Sequence, residues 1–425
     1  MNNKKKLIIP ITIIGISITL IGLSFTYYIA GFNVLNKDNN KNITKDEELI
    51  GTYIDGEYSE NIPNKDTGYV VEKIVCDNNA VGEWDYNNWG ITLTNLSEKS
   101  KCNIHFRKGV KLANTINLVD TAGKCPTVND DGTVNVTSAE SENSLLCSAP
   151  DNYGTSYYYR GNVQNNYVKF ANFYWRIVRI NGDGSIRLIY DGTSAHQNGE
   201  TSEDRIIGTS AFNENYNDNA YVGYMYGTPG SSTYEETHAN INDSTIKKYI
   251  DTWYENNLKN TKYEEYINDN LFCNDRTLDT GSGFGTNTTG YRWANQSIFN
   301  SDYSFSNVSF TPFICSKNNS FSVKKTTGNG NLHYMIGLIT TPEIIMSGGT
   351  AGYVTKYYIY SGQTIWTMSA YYFGNYASVR TVLDGANAWF DSKVSNINGV
   401  KPVINLKSNS LVSGDGTINN PYTVE

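Results

Sequence analysis

Six cysteines, Cys76, Cys102, Cys125, Cys147, Cys273 and Cys315, limit what this chain can fold into more than any other feature. Their even number suits complete pairing in an oxidising compartment. The chain has no CxxC and no His/Cys cluster, and the four histidines, His105, His196, His238 and His333, are scattered. Structural disulfides rather than a metal site are therefore expected, and no cofactor is. Order along the chain suggests that neighbours bond, Cys76 with Cys102, Cys125 with Cys147 and Cys273 with Cys315, although spacing alone leaves other connectivities open. Each such loop restricts the unfolded chain and adds about 3–4 kcal/mol.

A second constraint stands at the start. Lys4, Lys5 and Lys6 precede an uncharged run from Leu7 to Tyr28. At about 1.5 Å of rise per residue a helix of that length spans the roughly 30 Å hydrocarbon core of a bilayer. Pro10 falls in the first turns, where a missing N–H costs least. The lysines ahead of the run, against mixed charges after it, orient a single-pass anchor with its N-terminus in the cytoplasm and everything beyond about Gly31 outside. A cleaved signal peptide is the rival reading, but Tyr28-Ile29-Ala30 is a poor small-x-small site. The expected location is the cell membrane, with the C-terminal domain extracellular.

The order then reads as cytoplasmic tail (1–6), transmembrane signal anchor (7–28), stalk (29–50), small β module (51–108), connector (109–150) and large domain (151–425). The small module has strand-like runs at Tyr69–Val75 and Cys102–Phe106 around WDYNNWG. So short a module buries little core, and a Cys76–Cys102 staple suits it. Trp84 and Trp89 are expected in that core rather than as a sugar platform. In the connector, NDDGTVN at 129–135 lacks the distal glutamate of a calcium loop and reads as a turn before a strand. A formal charge of −8 without a basic aromatic cluster excludes nucleic acid as a partner.

The large domain opens with a hairpin. Phe173–Ile180 and Ser185–Tyr190 flank Asn181-Gly182-Asp183-Gly184, whose residues supply the positive φ angles of a tight turn. Ile186, Leu188 and Tyr190 alternate onto one face, leaving Arg176, Arg179 and Arg187 for solvated positions. A helix capped at Asp243 or Ser244 carries an apolar stripe of Ile246, Tyr249, Ile250, Trp253 and Leu258. Glu264–Leu271 reads as a second short helix, and Thr341-Pro342-Glu343 starts a third that Gly348-Gly349 stops. The fold class is α+β, with few helices and many short, irregular antiparallel strands.

YWRIVRINGDGSIRLIYDG (174–192), NDNAYVGYMYG (217–227), STIKKYIDTWYENNL (244–258), FCNDR (272–276), IGLITTPEI (336–344), TIWTMSAYYF (364–373) and GVKPVINL (399–406) together carry a resemblance. The chain resembles a bacterial, Firmicutes-type surface domain of unknown function that sits behind a membrane anchor. The last three elements are also similar to the formylglycine-generating-enzyme branch of the C-type lectin fold, which implies a C-type-lectin-like C-terminal domain. Departures matter here. That oxidase relies on a close pair of reactive cysteines near its C-terminus, and no cysteine follows Cys315; the EPN, QPD and WND signatures of calcium-dependent lectins are absent. Lys401 stands where relatives often have arginine.

No GxSxG, HExxH or GxxxxGK[ST] occurs. His196 and Glu200 lie four apart in a Gly-containing stretch read as loop. Asn213, Glu214, Asn217 and Asp218 concentrate oxygen atoms that suit a solvated loop better than a cation. The reading is a non-enzymatic, surface-displayed recognition or adhesion protein whose partner is an extracellular glycan or protein. In this fold ligands often meet loops near the last strands, which singles out Trp366, Tyr371, Tyr372 and Phe373, some of which must serve the core. The alternatives are a carbohydrate-active hydrolase with carboxylates yet to be placed, and a structural envelope component.

Overall fold

The computed structural model describes residues 27–29, 50–64, 67–85, 89–95, 100–111, 125–130, 134–136, 144–280, 289–291, 308–310, 312–349, 357–382 and 390–424. They form two compact units, one built on Met1–Val110 with Leu411–Ser413, the other on Lys111–Ser410 with Gly414–Val424. Strands dominate, and the α-helices among the described residues are Tyr234–Thr237, Thr245–Asn257 and Thr341–Met346. The α+β expectation is corrected accordingly: this is a largely β fold. Short apolar runs rich in Tyr, Ile, Val and Thr, broken by Asn and Gly, favour strands and turns over helices.

The membrane-spanning helix expected over residues 7–28, and the single-pass membrane location drawn from it, are corrected as well. No helix among the described residues is long and apolar enough to cross a membrane. Residues 7–26 lie outside the described residues. Tyr27–Ile29, at the end of the run, are extended and pair antiparallel with Gly90–Thr94. A run so rich in Ile and Thr carries strand propensity along with its hydropathy.

In the small unit, four strands run in the order Glu57–Ser59, Ile50–Ile54, Cys102–Lys108, Tyr69–Cys76. Period-two alternation shows in the third, where Cys102, Ile104 and Phe106 are buried and their neighbours partly exposed. With Val71, Ile91 and Leu93 they form the core, and Trp84 and Trp89 pack against it. The Trp84 ring meets Trp89 at 5.4 Å and Phe106 at 5.1 Å, both edge-to-face. Cys76 and Cys102 are register partners and are bonded.

In the large unit the main sheet runs Gly337–Leu338, Pro402–Leu406, Ile186–Gly192, Phe173–Ile180, Tyr167–Phe170, Tyr422–Val424, and the Ser144–Asp151/Gly154–Gly161 hairpin joins Phe173–Ile180. Gly184 provides the left-handed turn residue at φ +81°. A second sheet runs Thr209–Ala211, Ile397–Gly399, Ile365–Phe373, Thr289–Tyr291, Leu278–Thr280, with Ala377–Val382 also paired to Ile365–Phe373 and Phe390–Lys393 paired to Ala377–Val382. The remaining disulfides are Cys125–Cys147 and Cys273–Cys315.

The main hairpin is covered on both faces, for every residue of Ile186–Gly192 is buried. Arg176, Arg179 and Arg187 are therefore interior, not solvated as their alternation suggested. Glu343 neutralises two of them: its carboxylate meets Arg187 Nε, lies 3.2 Å from Arg187 Nη2 and accepts from Arg179 Nε at 3.2 Å, while Arg179 Nη1 reaches Asp151 at 3.3 Å. The same Glu343 closes a capping box with Thr340 at the start of Thr341–Met346, one residue ahead of the expected cap. Asp191 gathers Arg205 at 2.6 Å, Lys401 at 3.4 Å and Arg176 at 3.7 Å.

Ser244 caps Thr245–Asn257 and accepts from Lys247 N, with Ile246, Ile250 and Tyr254 turned inward. The helix expected over Glu264–Leu271 shrinks to one 3-10 turn, Glu264–Tyr266, because Ile267 bridges to Leu406 and Asn268 donates to Asn405 of the neighbouring strand.

Candidate functional site

Of the four aromatics singled out near the last strands, two serve the interior. Trp366 is wholly buried, its indole N–H donating to Ser210 O at 2.8 Å and its ring against Phe212 at 5.6 Å. Phe373 is also buried, paired with Ala377 across the strands. Ile365–Ala370 are all buried, so both faces of this strand are covered over Trp366. Tyr371 and Tyr372 are half-buried, and the Arg380 guanidinium covers the Tyr371 ring at 3.8 Å.

The oxygen-rich stretch after Thr209–Ala211 instead builds the rim of a cleft. Asn213 is its clamp: the buried amide donates to Tyr221 O at 2.8 Å, and its carbonyl accepts from Thr245 N at 3.3 Å, tying the loop to the first turn of Thr245–Asn257. Glu214 N donates to Thr245 Oγ1 at 3.2 Å. Asp218 caps the 3-10 turn Asn219–Val222 through Ala220 N and accepts from Gly230 N at 2.7 Å. Its carboxylate is thus taken up by backbone amides. The short strand pair Met225–Tyr226/Asn242–Asp243 closes the far side.

The result is a cavity of about 160 Å³. Asn213, Thr245 and Asp243 line its base, and Glu214, Asn215 and Lys248 stand exposed at its rim. Tyr221 and Tyr226 form the wall, edge-to-face at 5.3 Å. Burial, with smaller contributions from Tyr226 and Asp218, raises the Tyr221 phenol, so it is a neutral donor across physiological pH. The lining offers amides, hydroxyls, carboxylates and ring edges to a small polar molecule. The helix cap that positions Asp243, Thr245 and Lys248 was readable from Ser244; the convergence of Tyr221 and Tyr226 on it was not, since it depends on the fold of 213–226.

Two further titratable clusters lie in the large unit, the second sharing Asp243 with the cleft. His196 is buried, with Nδ1 3.0 Å from Glu200 and Nε2 2.7 Å from Asp204, which the loop reading of residues 196–200 did not anticipate. Its contact with Glu200, helped by Gln197 N, lowers that carboxyl. Ser194 Oγ is 3.3 Å from Nε2, as in a nucleophile–base pair. Asp204 already holds that nitrogen more closely and also accepts from Ser194 Oγ at 3.2 Å, so the imidazole is committed and the serine is not activated. The second cluster surrounds Lys247, whose Nζ lies 3.1 Å from Asp243 and 2.7 Å from Asp251, with His333 beside them.

No family model matches this chain, and no curated protein or solved structure does.

Proposed function

We propose that the large unit is a non-enzymatic recognition domain that binds a small polar ligand, of the saccharide class, in the cleft between Asn213 and Lys248. The observation that carries this reading is the cleft itself, where three chain segments pinned by one buried asparagine present several hydrogen-bonding groups beside a tyrosine pair. Few convergent polar groups and an aromatic wall are what fixes the orientation of a hydroxyl-rich ligand. Three disulfides fit an oxidising, extracytoplasmic setting.

The test is a glycan array followed by calorimetry on the best binders. Wild-type protein is expected to retain a small set of neutral saccharides, and Tyr226→Ala to weaken them about tenfold, the order of 1.4 kcal/mol. Binding that ignores Tyr226→Ala removes the cleft from the proposal. Turnover of a bound glycan, lost in Glu214→Gln, replaces recognition by hydrolysis.

A further inference from the structure

The loop that rims the cleft does not stop at Asn215. Its next residue, Tyr216, is 39% exposed, and its carbonyl accepts from Ala377 N at 2.7 Å. At the other end of the loop Phe212 N and Asn213 N both donate to Val394 O, at 2.9 and 3.0 Å. Ala377 opens Ala377–Val382, and Val394 directly follows Phe390–Lys393, the strand paired with it. Tyr376 and Lys393 each stand one residue from an anchor of the loop and so lie beside the rim. There Tyr376 is 41% exposed, and the Lys393 ammonium is 3.1 Å from the centre of the Tyr216 ring and 5.9 Å from that of Tyr376. Lys393 thus rides on Tyr216 and leaves Tyr376 open. Among the described residues no hydrogen-bond acceptor holds this ammonium, and no partner holds the hydroxyl of either tyrosine.

Size decides what such a patch adds. Pockets for small molecules usually measure about 300–1,000 Å³. The cleft holds about 160 Å³, and Met225–Tyr226 with Asn242–Asp243 shuts its far side. It has room for the end of a saccharide chain but not for its length. We propose that Tyr216, Tyr376 and Lys393 form an outer subsite of the cleft, so that the ligand is a saccharide chain held by one end, its terminal ring in the cleft and a following ring on Tyr376. A tyrosine offers a large, rigid, amphipathic surface to the C–H face of a sugar at little cost in conformational entropy. Lys393, oriented by the Tyr216 ring, brings three N–H donors to the hydroxyl oxygens of the same ring. This inference rests on the cleft reading above and adds the length of the ligand to it.

The experiment is calorimetric titration of the full chain with glucose, galactose, mannose and N-acetylglucosamine and with the linear trimer of each, read as the ratio of trimer to monosaccharide affinity. A ratio of at least about tenfold is expected in the series that binds. Tyr376→Ala changes an exposed side chain and is expected to bring the ratio to about one. Lys393→Met keeps an apolar stem over Tyr216 without the donors and is expected to lower the ratio about threefold. Tyr226→Ala, inside the cleft, is expected to weaken monosaccharide and trimer alike. A wild-type ratio near one, or a high ratio that Tyr376→Ala leaves intact, overturns the outer subsite while the cleft reading stands. Binding of no sugar in the panel overturns both.

Discussion

In the small unit the most deeply buried side chains are Ile91, Leu93, Cys102, Ile104 and Phe106 with a single hydroxyl, Thr52; at the same depth the large unit holds, within its apolar core, Arg160, Arg176, Arg187, Arg205 and Arg276. An apolar interior is stabilised in proportion to the area it removes from water, and it tolerates changes that keep its volume. A charged interior is conditional, because each cation is tolerable only while its partner is present. The small unit is therefore held by interchangeable apolar contacts and one staple, whereas the large unit adds to its own apolar core a set of buried ionic contacts that cannot be exchanged singly.

The sharpest way to break this contrast is Glu343→Gln. Arg187 and Arg179 then lose their shared carboxylate in a dry site, and the large unit should lose about 3–5 kcal/mol, read from its urea midpoint. Replacing the pair together, Arg187→Met with Glu343→Leu, should recover most of the loss; a double variant as unstable as the single one would show that the charge is not the cause. Next in size is the staple. Cys76→Ser with Cys102→Ser should cost the small unit about 3 kcal/mol, seen as protease cleavage within residues 50–108 while the large unit stays intact.

The smallest effect separates the two charged clusters. Arg179, Arg187, Glu343 and Asp151 balance, whereas Asp191 faces three cations. Burial above all, with Arg205 and Arg176 adding, pushes Lys401 down to about 7, against the pull of Asp191. The unfolded chain holds this proton up to about pH 10.4, so between pH 7 and 10 the unfolded state binds more protons and stability rises with pH. Lys401→Met should flatten that rise while staying within about 1 kcal/mol of wild type at pH 7. A wild-type profile that falls between pH 7 and 9 would refute the assignment.

Local chemistry showed through the sequence well. The Asn-Gly and Asp-Gly turn and the serine cap before Thr245 are each written within a few residues, the neighbour pairing of cysteines in their order over 22 to 42 residues, and the structure contains all three. The buried arginines were misread because alternation along a strand reports two faces without saying that both are covered, and Glu343 lies 164 residues from Arg179. At the end of the apolar N-terminal run Tyr27–Ile29 pair as a strand where a helix was expected, because hydropathy alone does not distinguish the two in aromatic and β-branched residues. For the site, Asn213 and Glu214 were noticed for their oxygens, but their roles as clamp and rim depend on Tyr221 and Thr245 meeting them in space.

The helix Thr341–Met346 has six residues, far too few to persist alone. Glu343 near its start is held by arginines of two strands, and Arg160 from a third caps its end at Ile345 O and Met346 O. Its capping box and proline are too little to hold six residues alone, so its stability is borrowed from those strands. The helix thus ties together three strands whose sequence positions lie far from its own, and loosening any of them should loosen it.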